Sequence, residues 1–448
     1  MILLENAVII TSEKVAPGSI LIEGSKISEV LYKDMEDYEY KLFKIRKDNP
    51  QTWDLEGRHI IAGGIDAHVH FREPGLTAKA DMVTEACAAA AGGVTSVIDM
   101  PNTVPPTTDA NGLKLKLDKA AKVQNCRISF HIGASNGNID EVQRLVTEGD
   151  SGSGISPSDI AGIKIFMGSS TGNMLVDDSH TLDKLFSIKE KPVLVHCEDE
   201  QTIKENLAKA IDKYGEDIPF SEHEHIRSRL ACIRSSAKAL ELAMKHGTRL
   251  TLCHISTREE IEMVRAAKAH NPEISAETSC NYLWFSNEDY SRLGSKVKCN
   301  PAIKGKGDRE ALRNALAEGI IDTIGSDHAP HLLSEKDNCY CKAPSGMPSI
   351  QQSLPVLLTV ADQEGIPLTR IASVFSEKAS EIYGLGRGRI AKGYEADLVI
   401  FDYEKTFTVK AEDLYSKCHW SPYEGETLKG VIETVLIGGN VVFDIKAR

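Results

Sequence analysis

The chain has 448 residues, 41% hydrophobic and 26% charged, and 52 Lys and Arg against 65 Asp and Glu give a formal net charge of −13. That balance argues against nucleic acid or an anionic membrane as a partner, so an anionic substrate would need a local positive site. No apolar run approaches a membrane span, and the opening Met1-Ile-Leu-Leu-Glu-Asn is charged too early for a signal peptide.

Residues 1–58 read as short strands, Ala7–Ile10, Ser19–Ile22 and Lys26–Val30, interrupted by a charged insertion over 32–49 expected at the surface. From Ile60 a rhythm begins. Apolar, strand-like runs recur at 60–70, 94–100, 127–133, 160–167, 192–197, 249–255, 273–278 and 320–326. Helix-like patterns fill most gaps, among them Lys79–Ala91 after Thr77 and Arg258–His270 after Thr257. Eight strands alternating with helices predict an α/β fold, a (β/α)₈ barrel over 59–384 with its active site at the C-terminal strand ends. After Leu385 short strands return at Ala396–Ile400, Glu433–Ile437 and Val441–Phe443. Residues 1–58 and 385–448 are therefore expected to pair into a small β-sandwich domain. The length suits one large barrel plus such a companion.

The residues that carry chemistry sit late in those runs. Side chains alternate along a strand, so His68 and His70 in Asp66-Ala-His-Val-His share one face. With 14 histidines in the chain an H-x-H arises by chance roughly 0.4 times. Alone, then, the pair is weak, and a second one, His223-Glu-His225, reads as solvated surface. Company downstream strengthens the first. His196 ends the fifth run, His254 the sixth, and Asp327 follows the eighth, so all would point into one bowl. Nitrogen and carboxylate ligands suit zinc or a similar divalent ion. Four histidines and an aspartate exceed the protein ligands of one catalytic zinc, which implies two metals. Lys164 lies inside the fourth run, where a charged ammonium is costly unless paired. Two readings remain open for it: a neutral amine that captures carbon dioxide as a carbamate, or an ion pair with a nearby acid. Ten scattered cysteines, several within strand-like runs, suit a reducing cytoplasm. Cys339-Tyr-Cys341 has no matching second pair and reads as structural or incidental.

Three motifs, Asp66-Ala-His-Val-His-Phe-Arg-Glu-Pro-Gly75, Met100-Pro-Asn-Thr103 and Asp327-His-Ala-Pro-His331, together resemble those of the dihydroorotases of the amidohydrolase superfamily. The resemblance runs on through Gly388-Arg-Ile-Ala-Lys-Gly-Tyr-Glu-Ala-Asp-Leu-Val-Ile400. It implies a binuclear site, most simply of zinc, formed by His68, His70, Lys164, His196, His254 and Asp327, with Lys164 carboxylated as the bridge. It also implies that Arg72, Asn102, Asn300 and His331 contact the substrate. The implied reaction is the reversible cyclisation of N-carbamoyl-L-aspartate to L-dihydroorotate in pyrimidine biosynthesis. In it a water polarised by the metals attacks the ring amide, with Asp327 as general acid and base. An arginine fork matches the substrate's carboxylate, although Arg72 could instead pair with Glu73 and Asn102 could merely shape a turn. His328 is expected to point away from the bowl.

One departure stands out. The seventh run ends Glu277-Thr-Ser-Cys-Asn-Tyr282, where relatives often have Pro-His-His or Pro-His-Tyr, so no histidine is available there to support the ligands. Allantoinase and dihydropyrimidinase or hydantoinase are rival activities, but their substrates lack the ring carboxylate that Arg72 would meet. An inactive scaffold relative would be expected to lose ligands, and here all six positions are filled. The expected partner is a small molecule, and assembly as a homodimer is left open.

Overall fold

The computed structural model describes residues 1–168 and 174–447. Eight parallel strands form one sheet in chain order: Gly64–Val69, Val94–Asp99, Arg127–Gly133, Ile160–Phe166, Val193–His196, Leu250–Leu252, Ile274–Thr278 and Thr323–Ile324. Each falls within one of the eight apolar runs. Such runs lack polar alternation because both faces of a parallel barrel sheet are covered, and Ile160–Phe166 is buried at every position. The first and last strands meet through a parallel bridge between Val69 and His328. There the His70 amide donates to the His328 carbonyl at 2.8 Å, and the Ser326 amide donates to Asp66 Oδ1 at 3.1 Å. The expected (β/α)₈ barrel is present.

The helices start where side chains can cap them. Thr257 opens Arg258–Lys268 in a capping box with Glu260, as its sequence position predicts. The helix expected from Lys79 starts instead at Met82, because Asp81 rather than Thr77 accepts the free amide of Thr84. Residues 71–80 form the rim of the barrel mouth, with Leu76 and Lys79 amides closing turns onto Arg72 and Leu76 carbonyls.

The second sheet is mixed and joins both chain ends. Its strands are Ile2–Ile10, Val15–Glu23, Lys26–Tyr32, Gln51–Asp54, His59–Ala62, Leu398–Thr408, Thr427–Ile437 and Asn440–Asp444. His59–Ala62 pairs in parallel with Ile2–Ile10 and antiparallel with Leu398–Thr408, so it joins the two contributions. The apolar run from Ile60 to Ile65, read as one strand, is therefore divided between the sheets. The break falls at Gly63 and Gly64, whose amides turn to the Asp397 and Gly93 carbonyls.

Two surface expectations need correction or refinement. The insertion contains a helix, Tyr38–Lys47, held by Tyr38 and Leu42 against Leu3, Leu21 and Leu31, while Tyr40 and Phe43 stay exposed. In His223-Glu-His225 only His225 is exposed. His223 is wholly buried: its Nδ1 meets the Tyr340 hydroxyl at 2.7 Å and its Nε2 lies 2.8 Å from the Cys299 carbonyl. Those partners are far away in the chain, so local charge gave no sign of them. Among the described residues no helix is long and apolar enough to cross a membrane.

Candidate active site

At the C-terminal mouth of the barrel, His68, His70, Arg72, Phe166, His196, His254, Asn300, Asp327, Ala329, Ser345 and Gly346 line a narrow bowl. The strand ends bring these side chains together. Three of them carry backbone in the left-handed region, Arg72 at φ 64°, His254 at 37° and Asp327 at 49°. Non-glycine residues pay of order 1–3 kcal/mol for such conformations, which persist where surrounding structure over-determines them and cluster at functional sites.

Three of the four imidazoles are oriented by a partner behind them. His68 Nδ1 lies 2.7 Å from Glu277 Oε1, which leaves Nε2 facing Asp327 Oδ1 at 3.5 Å. His70 Nδ1 donates to Asn102 Oδ1 at 2.8 Å, which leaves Nε2 3.1 Å from the same Asp327 oxygen. His196 Nε2 donates to Glu198 Oε2 at 3.0 Å, so its Nδ1 faces His254 Nε2 at 3.0 Å. Arg227 holds Glu198 from the other side. His254 Nδ1 is buried with no hydrogen-bond partner among the described residues.

Electrostatics sharpen the picture. Burial pushes His68, His70, His196 and His254 below the usual histidine value, the first and last strongly. They are neutral, lone-pair-bearing rings at physiological pH. Burial works against ionisation of Asp327, but the surrounding His68, His70 and His254 outweigh it and hold the carboxyl below its usual range. His68 Nε2, His70 Nε2 and Asp327 Oδ1 thus face one another closely enough to converge on a cation. This donor set fits divalent metal ions of the zinc class, and His68, His70 and Asp327 form a cluster able to hold one.

Lys164 is fully buried beneath the bowl. Its Nζ donates to Cys253 Sγ at 3.1 Å and lies 5.3 Å from the centre of the Phe166 ring. Among the described residues it forms no ion pair, so the acid partner left open by the sequence is absent. Arg72 is likewise buried and without an ion pair. Glu73, its alternative partner, takes Lys119 instead at 2.7 Å. Arg72 Nε donates to the Pro330 carbonyl at 3.0 Å, and Nη2 lies 3.0 Å from His331 Nε2. Burial pulls its guanidinium down to about 10, still charged at neutral pH.

The other expected residues divide. Asn300 lines the bowl, with a buried Oδ1 that has no hydrogen-bond partner among the described residues. Asn102 stands behind His70, and His331 behind Arg72, with His331 Nδ1 3.1 Å from Lys79 Nζ. His328 points away, bonded to buried Glu85 at 2.7 Å. Sequence reasoning missed Glu277 and Glu198. Both are acids at the ends of apolar strands, and that was the available signal. Gly325 makes the close approach of Glu277 to His68 possible, since a Cβ there would stand 2.7 Å from both Glu277 Oε2 and His68 Cβ.

The amidohydrolase family model matches residues 59–442. The chain belongs to the amidohydrolase family. It is a hydrolase. Among relatives from this family, a dihydroorotase of Methanosarcina acetivorans is 36% identical over 437 residues, covering 94% of this chain and 88% of that protein. An allantoinase of Desulfitobacterium hafniense is 29% identical, covering 99% and 95%. Among solved amidohydrolase structures, an L-hydantoinase (dihydropyrimidinase) from Arthrobacter aurescens superposes with a TM-score of 0.89 at 25% identity, covering 99% of this chain and 96% of that one.

Proposed function

We propose that this hydrolase of cyclic amides is a dihydroorotase, interconverting N-carbamoyl-L-aspartate and L-dihydroorotate. The observation that carries this reading is Arg72, a buried guanidinium at the metal-ligand bowl with no ion pair among the described residues. A buried charge is costly unless paired. The ring carboxylate of dihydroorotate supplies that partner, in the bidentate geometry an arginine fork favours. Allantoin and dihydrouracil carry no such carboxylate. Dihydroorotase relatives at 36% and 35% identity support the same choice.

His68, His70, His196, His254 and Asp327, with Lys164 as a carbamate, would hold two divalent metals, zinc by ligand type. When bound, the metals supply Lewis acidity and lower the pKa of water at the site. The chain's own groups do the rest. Glu277, Asn102 and Glu198 keep three imidazoles turned towards the bowl. Arg72 anchors the substrate's carboxylate, and Asn300 offers both a donor and an unpartnered acceptor to the ring imide. Asp327 accepts the proton of the attacking water and delivers it to the ring nitrogen as the carbon–nitrogen bond breaks. In the reverse direction it takes the proton from the carbamoyl nitrogen, and water leaves. All ten cysteines are free thiols, which suits catalysis in a reducing cytoplasm.

Purified protein offered L-dihydroorotate, allantoin and dihydrouracil in parallel tests the reading. Ring opening of dihydroorotate far faster than of the other two is expected. Preference for either uncharged ring would overturn it.

A further inference from the structure

Beyond the residues that would meet substrate or metal, one wall of the bowl is built in an unusual way. Ser345 and Gly346 line the bowl, and the segment that carries them is pinned by two buried lysines. Lys298 is 7% exposed and Lys336 1% exposed, and neither forms an ion pair among the described residues. Lys298 Nζ donates to the Tyr340 carbonyl at 2.7 Å and the Ala343 carbonyl at 2.6 Å. Lys336 Nζ donates to the Pro344 and Gly346 carbonyls at 2.8 and 2.9 Å, and to the Lys298 carbonyl at 3.3 Å. The Gly346 amide returns to the Lys298 carbonyl at 2.9 Å.

The far end of the segment is plugged by Tyr340, which lies between Cys339 and Cys341. Its hydroxyl meets buried His223 at 2.7 Å, and Lys298 Nζ lies 4.3 Å from its ring centre. The near end abuts the residues around Arg72. The Ser345 carbonyl is 3.1 Å from His331 Nε2, and His331 Nε2 is 3.0 Å from Arg72 Nη2. Gly346 sits at φ 128°, and a Cβ there would stand 2.7 Å from the Ala329 carbonyl and 3.1 Å from His331 Cδ2. Glycine at 346 therefore lets this backbone pack directly against the Ala329 carbonyl and the His331 ring.

Two ammonium groups without carboxylates are an expensive way to fill a core, since apolar side chains of similar size avoid the desolvation. What the charges accomplish here is to gather loop carbonyls that no helix or sheet satisfies.

We infer that Lys298 and Lys336 are positioning residues for the substrate's carboxylate, holding the Ser345–Gly346 wall against His331 and so fixing Arg72. The inference rests on the dihydroorotase reading, and neither lysine touches substrate. Lys336→Met and the milder Lys298→Gln and Lys336→Gln are compared with wild type in steady-state assays on dihydroorotate, with metal analysis and limited proteolysis alongside. Expected are a KM raised roughly tenfold or more with kcat changed less than about threefold, unchanged metal content, and faster cleavage within residues 337–346. Lys336→Arg, which keeps the donors, should recover part of the KM.

Folded variants with wild-type KM and wild-type cleavage would overturn the inference, as would loss of kcat and metal together with KM. If Lys336→Met fails to fold, the two glutamine variants decide by the same criteria. If wild type itself does not open dihydroorotate, the functional reading fails separately, and the proteolysis comparison alone decides whether the lysines hold the wall.

Discussion

His68 Nδ1 and Glu277 Oε1 lie 2.7 Å apart although the two residues are 209 positions apart in the chain. The contact joins the first and seventh barrel strands, and it fixes which nitrogen of His68 faces Asp327. Burial pushes the Glu277 carboxyl up to about 8, because its ionised form is cut off from solvent.

Glu277→Ala should therefore weaken metal retention. Removing a group that orients a ligating histidine typically costs 10–100-fold in metal affinity, on the order of 1–3 kcal/mol. Chelator titration followed by metal analysis measures this directly. Wild-type affinity in the variant would show that Glu277 supports packing alone.

Lys164→Ala removes the amine that a carbamate requires, at a fully buried site with no ion pair among the described residues. Metal content should fall from about two ions per chain towards one or none, with most activity lost. A short carboxylic acid added in excess should restore part of the activity. Two metals retained on a bare lysine, seen in a high-resolution crystal structure, would refute the carbamate.

Arg72→Met tests specificity. Losing a desolvated, charge-assisted contact costs roughly 2–5 kcal/mol of transition-state binding. With about 1.4 kcal/mol per factor of ten, kcat/KM for dihydroorotate should drop about 30-fold or more. Metal content should not change, because Arg72 is not among the ligands. Turnover of an uncharged ring such as dihydrouracil should be affected much less, and equal losses on both would assign Arg72 to the fold.

Lys336 gives a pH signature in stability. Burial is the largest cause that pulls its folded-state value down from 10.5 to about 7. Between those values the unfolded chain holds a proton that the folded chain has released. Stability therefore rises with pH across the window and is lost again as pH falls towards 7. Urea unfolding midpoints of wild type should gain on those of Lys336→Met from about pH 7.5 to about pH 9.5, at no more than about 1.4 kcal/mol per pH unit. Parallel curves for the two proteins would refute the depressed value.

Much of this was legible in the chain itself. The eight barrel strands are continuous apolar runs, and burial of a parallel sheet on both faces requires that pattern locally. His68, His70, His196, His254 and Asp327 could be placed at one mouth because a strand's end and its parity are properties of a few neighbouring residues. Tertiary structure alone decided what stands behind them. The pairing of Glu277 with His68, of Asn102 with His70 and of Glu198 with His196 sets which ring nitrogens face the bowl. His223 shows the limit most clearly, since a charged local context conceals its burial against Tyr340 and Cys299. Periodicity reports which face a residue takes in its own element. A hydrogen bond between elements depends on how barrel closure brings distant strands and loops together, and no local pattern records that.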